Sequence, residues 1–289
     1  MPNPSDNPTL AALINLLDAP DDTAFTLIRE QILIQGQDAI APLERCMENT
    51  FNTIVLERVQ DIVRQLHLEN NIAELSNWLN TGSSDLLRGF ILVTKTQNPS
   101  LDEKELIISL EQLKMDIWIE LRDDQTALES VKVMNHILFE IHHFATNITD
   151  KPSPRNNFID ILLESKKGSA LSLGMLFIIL AQKLGLPVYG VDLPHHFILA
   201  WLTSSGIESP GESDVLFYIN PFSNGAVFTR RDIDLFISQM KLKPEKSYFA
   251  PCSNPDIIRR LIGNLISLYN QSGNHEKAED LKTLLNVFK

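Results

Sequence analysis

The stretch from Leu171 to Leu184 is apolar on nearly every face of a helix. A helix without a polar face has to be buried on every side, so other elements must surround it. Gly185 and Pro187 mark its end, because a glycine stop followed by a proline is typical of helix termination. The sequence therefore predicts a fold built around one central buried helix.

Three short runs of β-forming residues follow this helix, at residues 188–193, 197–202 and 215–219. Short runs bounded by turn residues favour neighbouring antiparallel strands. We therefore predict an α+β fold in which the central helix packs on an antiparallel sheet. The polar, Gly- and Pro-containing residues 203–214 are expected to form an exposed hairpin loop. The irregular residues 144–158, which precede the central helix, are typical of a loop that contributes to a site.

The N-terminal part of the chain predicts short amphipathic helices in series. Apolar residues recur at helical spacing after a Pro-rich start of eight residues that is expected to be disordered, and polar breaks separate the helices, including one between residues 68 and 72. Each helix is too thin to bury its apolar stripe alone, which favours a HEAT-like stack of helical hairpins over residues 1–84. An irregular helical domain is the alternative, since no repeat period is visible.

The C-terminal residues 251–289 carry two helical patterns separated by Gly273 and Asn274. Tyr269 near the end of the first pattern and Ala278 early in the second resemble a single tetratricopeptide (TPR) unit. The predicted organisation is thus a helical domain at 1–84, a core at 85–250 and a TPR-like hairpin at 251–289.

Composition excludes several classes of function. The formal net charge of −12 argues against a nucleic-acid or anionic-membrane partner. The two cysteines, Cys46 and Cys252, lie far apart and have no metal-ligand spacing around them, so we predict no metal and no cofactor. Without an apolar run of membrane-spanning length or a signal-peptide pattern, the expected location is the cytoplasm.

Several motifs, taken in their order and spacing, resemble the SirB1-type family of bacterial transglutaminase-like/TPR proteins. The resemblance spans roughly residue 86 to the C-terminus. The motifs are Asn156-Asn157-Phe158, Leu163-Glu164-Ser165-Lys166-Lys167-Gly168, Ser172-Leu173, Leu184-Gly185-Leu186-Pro187, Gly190-Val191-Asp192-Leu193-Pro194-His195-His196-Phe197, Asn220-Pro221-Phe222 and Arg259-Arg260-Leu261-Ile262-Gly263-Asn264-Leu265.

This resemblance implies a papain-like transglutaminase core, in which a cysteine opens the central helix and a histidine and an aspartate lie on the following strands. A helix N-terminus lowers the pKa of a thiol, the histidine takes its proton, and the third residue orients the histidine. Carried over to this chain, the cysteine position falls at Ala170 or its immediate neighbour, the histidine at His196 and the aspartate at Asn220. Alanine cannot act as a nucleophile.

Two serines are the candidate nucleophiles that remain. Ser169 and Ser172 flank Ala170, and either one acting with His196 and Asn220 would give a hydrolase or acyl transferase. The hydroxyl of Ser172 is expected to bond a backbone carbonyl of the preceding turn instead. His196 itself is either a site residue or a half-buried strand histidine beside Phe197.

The resulting hypothesis is a non-catalytic transglutaminase-like protein that binds a protein or peptide in the vestigial active-site groove. A residual hydrolase and a purely structural assembly subunit are the alternatives. The residues expected to contact a ligand in the groove are Asn157, Glu164, Ser172, His195, His196 and Asn220.

Overall fold

The computed structural model describes residues 8–148, 153–203 and 214–289. Residues 1–7 of the predicted disordered start, residues 149–152 of the predicted site loop and residues 204–213 of the predicted hairpin loop lie outside the described residues. The chain divides into two compact units, Met1–Ser76 and Asn77–Lys289. The domain boundaries at 84/85 and 250/251 stay predictions.

Helices form the first unit. They are α1 (Pro8–Asn15), α2 (Asp22–Ile34), α3 (Ile40–Asn49) and the beginning of α4 (Thr53–Asn80). Asp21 caps α2, because its carboxylate accepts hydrogen bonds from the backbone N–H groups of Thr23 and Ala24. Each of these helices contributes to the apolar core of this unit, whose buried side chains include Leu10, Ile32, Leu43 and Val59.

The break predicted between residues 68 and 72 is wrong. Helix α4 runs without interruption from Thr53 to Asn80. The residues taken for a break, Glu69, Asn70 and Asn71, include neither glycine nor proline, so nothing forces the backbone out of the helix. Asn70 also donates a hydrogen bond to Glu74, one turn further along.

The second unit contains the remaining helices and all the described strands. Helix α7 (Ala127–Asn135) continues into a π-helical turn, His136–Ile141. The helices are α5 (Leu86–Lys95), α6 (Glu103–Glu120), α7 (Ala127–Asn135), α8 (Ile159–Ser165), α9 (Ala170–Lys183), α10 (Arg230–Gln239), α11 (Asn254–Gln271) and α12 (His275–Leu285).

The described strands form two sheets. Strands β1 (Ala145–Thr146) and β2 (Lys167–Gly168) make a short parallel pair. Strands β3 (Val188–Leu193), β4 (His196–Leu202), β5 (Val215–Asn220) and β6 (Ala226–Phe228) form an antiparallel sheet in that order. Pro194 and His195 make the turn between β3 and β4, whose register pairs Leu193 with His196. The predicted combination of helices with an antiparallel sheet is confirmed.

Helix α9 is the buried centre of this unit. Every residue from Leu171 to Ala181 is buried, and the helix contacts β3, β4 and the short 3₁₀ helix Pro221–Ser223. Gly174 lets β4 approach closely, because a Cβ atom at this position would lie 2.8 Å from the ring of Phe197. The packing of the helix against the sheet fixes where its N-terminus lies relative to the start of β4.

Candidate functional site

A cavity of about 640 Å³ lies at the N-terminus of α9. Its walls come from five parts of the second unit: the residues that precede α8, the first turn of α9, the beginning of β4, the 3₁₀ helix Pro221–Ser223 and one face of α11. The lining residues are Thr146, Asn147, Ile148, Ser153, Asn156, Asn157, Ser169, Ala170, Leu171, His195, His196, Phe197, Phe222, Arg260, Asn264, Ser267 and Leu268. We refer to this space as the α9 cavity.

A reciprocal pair of hydrogen bonds fixes the start of α9. Ser169 is the N-cap, and its Oγ accepts a hydrogen bond from the backbone N–H of Ser172 at 3.1 Å. The Oγ of Ser172 in turn accepts from the N–H of Ser169 at 2.9 Å. This capping box satisfies two donors that the first helical turn would leave without partners.

Both serine hydroxyls also donate hydrogen bonds to the loop that precedes α8. The hydroxyl of Ser172 donates to the carbonyl of Asn156 at 2.7 Å, and that of Ser169 donates to Oδ1 of Asn157 at 2.8 Å. Gly168 permits this close packing, since a Cβ atom there would lie 2.5 Å from the Oγ of Ser172. Ser172 is fully buried and does not line the α9 cavity, whereas Ser169 does.

Ala170 is the first residue of α9, and it lines the cavity together with His195 and His196. The structure therefore brings two of the three positions expected from the resemblance, Ala170 and His196, to the same cavity. The side chain that α9 presents there at Ala170 is a methyl group, which can neither donate a proton nor attack a carbonyl.

The two histidines differ in backbone conformation. His195 lies in the turn with φ +63°, a left-handed conformation that is uncommon for residues other than glycine. His196 begins β4, and the edge of its ring packs against Phe236 with the ring centroids 4.8 Å apart. His196 is exposed rather than half-buried. Partial burial of its ring still lowers its pKa below the ordinary value, and the neighbouring charge of His195 lowers it further. The neutral imidazole is thus favoured at His196.

Asn220 has a local structural role. Its side-chain carbonyl accepts a hydrogen bond from the N–H of Phe222 at 3.0 Å, and its amide donates to Oγ of Ser223 at 3.3 Å. These bonds cap the 3₁₀ helix that follows β5. Within the described residues no hydrogen bond joins Asn220 to the His196 ring. Phe222, rather than Asn220, lines the α9 cavity.

Glu164 lies at a different site from the other predicted groove residues. It lines a separate depression of about 430 Å³, with Asp102, Glu105 and Asp160 among its neighbours. The structure therefore brings Asn157, His195 and His196 to the α9 cavity, places Ser172 beneath it, and leaves Glu164 and Asn220 outside its lining.

Sequence reasoning missed the wall that α11 contributes. Arg260, Asn264 and Ser267 line the cavity from this helix, at spacings of four and three residues. Such spacings place side chains on one face of a helix. These three residues form a polar stripe beside the buried residues Ile257, Leu261 and Leu265. That stripe was the sequence signal that could have identified this wall of the cavity.

Neither cysteine supplies a reactive thiol to the cavity. Burial raises the pKa of Cys252 to about 12, and its Sγ donates a hydrogen bond to the carbonyl of Gly190. Burial also raises the pKa of Cys46, which belongs to the first unit. Thiols with raised pKa values carry little thiolate at neutral pH.

The described residues contain neither a candidate metal cluster nor a helix that could span a membrane. In the described ranges, no group of three or more His, Cys, Asp or Glu side chains is arranged to hold a metal ion. Of the helices that the structure describes, none combines the length and apolarity that a membrane crossing requires.

Relatives of this chain come from bacteria and from mammals. Human F-box only protein 21 is 24% identical over 155 residues, which are 54% of this chain and 24% of that protein. A UPF0162 protein of Vibrio cholerae is 28% identical over 188 residues, 63% of this chain and 66% of the relative. A UPF0162 protein of Xylella fastidiosa strain Temecula1 is 24% identical over 226 residues, 74% of this chain and 73% of the relative.

The chain thus spans only about a quarter of the length of the F-box relatives it matches. No solved structure matches the chain at a significant level. A family model described as the transglutaminase-like superfamily matches residues 104–263, a range that contains α9, the antiparallel sheet and Arg260. Because this match covers more than half of the 289 residues, the chain belongs to the transglutaminase-like superfamily.

Proposed function

We propose that this protein is a non-catalytic member of the superfamily that binds a peptide, or a segment of a partner protein, in the α9 cavity. The observation that carries the proposal is Ala170, a residue without a nucleophile at the cavity end of the central helix. A cavity of about 640 Å³ has the size of a ligand site, and loss of a thiol leaves its shape intact.

The finer family assignment forms part of this proposal. A papain-like core of SirB1 type would place the vestigial cysteine position beside a strand histidine, and Ala170 and His196 line one cavity. A TPR-like hairpin would consist of two helices joined by a tight turn, and α11 and α12 are separated by Ser272, Gly273 and Asn274. These features support the assignment, as do the motifs of the sequence.

The alternative, a hydrolase or acyl transferase, requires an activated serine. The hydroxyl of Ser172 is buried and donates to the carbonyl of Asn156, while that of Ser169 donates to Asn157. Within the described residues, neither hydroxyl has the His196 ring as a hydrogen-bond partner, so the base that a serine nucleophile needs is missing. A fluorophosphonate probe should leave the chain unlabelled. Labelling at Ser169 or Ser172 that disappears in His196→Gln would establish the hydrolase instead.

The binding proposal can be tested with a random hexapeptide library passed over the immobilised full chain. Bound peptides would be eluted and counted by mass spectrometry. Ala170→Trp fills the cavity and should abolish retention. Ser238→Trp, at an exposed position on α10 outside the cavity lining, is the matched control and should retain peptides as the unmodified chain does. Equal retention by both variants would exclude the α9 cavity as the binding site.

A further inference from the structure

The α9 cavity is rich in hydrogen-bond donors, and Arg260 adds a positive charge to its lining. It is lined by one guanidinium group, two imidazoles and several amide and hydroxyl side chains. Among the described lining residues there is no aspartate or glutamate, although the chain has 37 acidic residues and only 25 lysines and arginines. A lining of this composition complements an anionic group on the ligand.

Among the described lining residues, Arg260 contributes the permanent positive charge. It lies on α11 with 17% of its side chain exposed, and one terminal nitrogen donates hydrogen bonds to the carboxylate of Asp192 and, at 3.4 Å, to the carbonyl of Leu193. The guanidinium carbon lies 5.6 Å from the centroid of the Phe197 ring. The contacts with Asp192, Leu193 and Phe197 therefore fix the position of the guanidinium at the cavity wall.

The guanidinium still has donors to offer. An arginine carries five N–H groups, and within the described residues Nε and the second terminal nitrogen of Arg260 have no hydrogen-bond partner. Asp192, the counterion, is half exposed on β3 and does not line the cavity. Burial lowers the pKa of Arg260, because removal of the guanidinium from water disfavours its charged form.

We infer that the α9 cavity recognises a carboxylate group of its peptide ligand, and that Arg260 binds this group. The inference rests on the proposed peptide-binding function and names the chemistry that selects the peptide. Arginine binds carboxylates through two parallel N–H···O bonds, for which its unpartnered nitrogens are suited. The amide side chain of Asn264, on the same face of α11, is suited to a peptide group beside the carboxylate.

The carboxylate can belong to the C-terminus of the peptide or to an acidic side chain, and three hexapeptide libraries distinguish these sources. The first has free C-termini and no Asp or Glu. The second has amidated C-termini and contains Asp and Glu. The third is amidated and lacks both residues. Each would be passed over the immobilised full chain. We expect the first or the second library to be retained about tenfold more than the third.

Two neighbouring arginines provide a matched pair of variants. Arg260→Gln should remove the preference for carboxylate-bearing peptides. Arg259→Gln should leave it unchanged, because Arg259 lies on the same helix but pairs with Asp256 and does not line the cavity. If Arg260→Gln fails to fold, Arg260→Lys can replace it, because lysine keeps the charge but lacks the planar guanidinium. Arg260→Lys should then lower the preference for carboxylate-bearing peptides more than Arg259→Lys does.

The possible outcomes separate this inference from the proposed function. If the neutral amidated library is retained as strongly as the others and Ala170→Trp abolishes its retention, the cavity binds peptides but the carboxylate inference is overturned. Equal effects of the Arg259 and Arg260 substitutions would also overturn it. If no library is retained, both the inference and the proposed function fail.

Discussion

At the scale of single residues, the first turn of α9 combines the environment of an activated thiol with the absence of one. Ala170 follows an N-cap serine and lines the same cavity as His196. A helix N-terminus carries a partial positive charge that stabilises a thiolate, and a nearby neutral imidazole can take the proton of the thiol. The geometry of the site can therefore be tested by introducing a cysteine thiol at position 170.

We expect Ala170→Cys to introduce a reactive thiol. Its pKa should fall from about 8.5 toward the range of roughly 3.5–7.5 that activated cysteines show. Iodoacetamide at neutral pH should then alkylate the introduced thiol much faster than Cys252, whose pKa burial raises to about 12. The second-order rate constant of alkylation is the quantity to measure.

Two variants show whether the cavity or the helix N-terminus causes the high reactivity of the introduced thiol. Ala127→Cys places a thiol at the first residue of α7, which also follows a capping box but does not line the cavity, so it reports the effect of a helix N-terminus alone. Adding His196→Gln to Ala170→Cys should remove part of the reactivity. A thiol at position 170 that reacts no faster than one at position 127 would show that His196 does not act on this position.

The pair His195 and His196 predicts a measurable titration. Burial and the charge of His195 both lower the pKa of His196. His195→Gly removes that charge and suits the left-handed backbone at this position. We expect the pKa of His196, followed by the ring resonances in NMR, to lie below about 6.5 in the unmodified chain and to rise part of the way toward it in His195→Gly.

The same shift has a consequence for stability. A histidine whose pKa is lowered by folding contributes stability that is complete above the unfolded-state pKa of about 6.5 and is lost as the pH falls toward the folded-state pKa. His195→Gly should reduce this loss, which denaturant titrations on both sides of about pH 6 can measure. An unchanged titration of His196 in the variant would mean that the two rings do not interact.

At the scale of elements, α9 determines the fold of the second unit. Leu176 is 1% exposed and Leu180 is fully buried, one turn apart on the helix. Truncating either to alanine should lower the free energy of unfolding by about 2–5 kcal/mol, because it leaves a cavity in a packed core. Lys183→Ala should cost less than about 1 kcal/mol, since Lys183 is exposed and its ion pair with Glu111 is solvent-accessible. Equal losses at all three positions in urea unfolding would contradict the central role of α9.

Some elements were predictable because the local sequence alone determines them. The apolar run from Leu171 to Leu184 identified α9, and runs bounded by turn residues identified β3, β4 and β5. The break at residues 69–71 was predicted wrongly because a cluster of polar residues was taken for a stop signal. Polarity alone does not end a helix in the absence of glycine or proline.

The candidate site was less predictable, because its walls come from distant parts of the chain. Arg260 reaches the cavity only after α11 has packed beside β3 and the loop before α8, which lie far away in sequence. Asn220 was expected to orient His196, but its side chain bonds Phe222 and Ser223 instead. An asparagine side chain readily accepts a hydrogen bond from the backbone two residues ahead. A sequence motif does not show that this local bond competes with a bond to a distant histidine.

At the scale of the whole molecule, the chain contains two compact units with separate apolar cores. The core side chains of the first unit, Leu10 to Leu66, all lie within Met1–Ser76. The three tryptophans, Trp78, Trp118 and Trp201, all belong to Asn77–Lys289. Tryptophan fluorescence therefore reports the second unit alone, whereas far-ultraviolet circular dichroism reports the helices of both.

We expect these two signals to follow different curves in urea unfolding, because each unit has a core of its own. Non-coincident transitions are the criterion for unfolding in more than one step. Leu43→Ala, at a fully buried position in the first unit, should lower the free energy of unfolding of that unit by about 2–5 kcal/mol. Part of the dichroism transition should therefore move to lower urea concentration, while the fluorescence midpoint stays unchanged. Leu180→Ala, the matched substitution in the second unit, should shift the fluorescence midpoint. If Leu43→Ala moves both curves together, the chain unfolds as one cooperative unit, and the division at Ser76 has no thermodynamic counterpart.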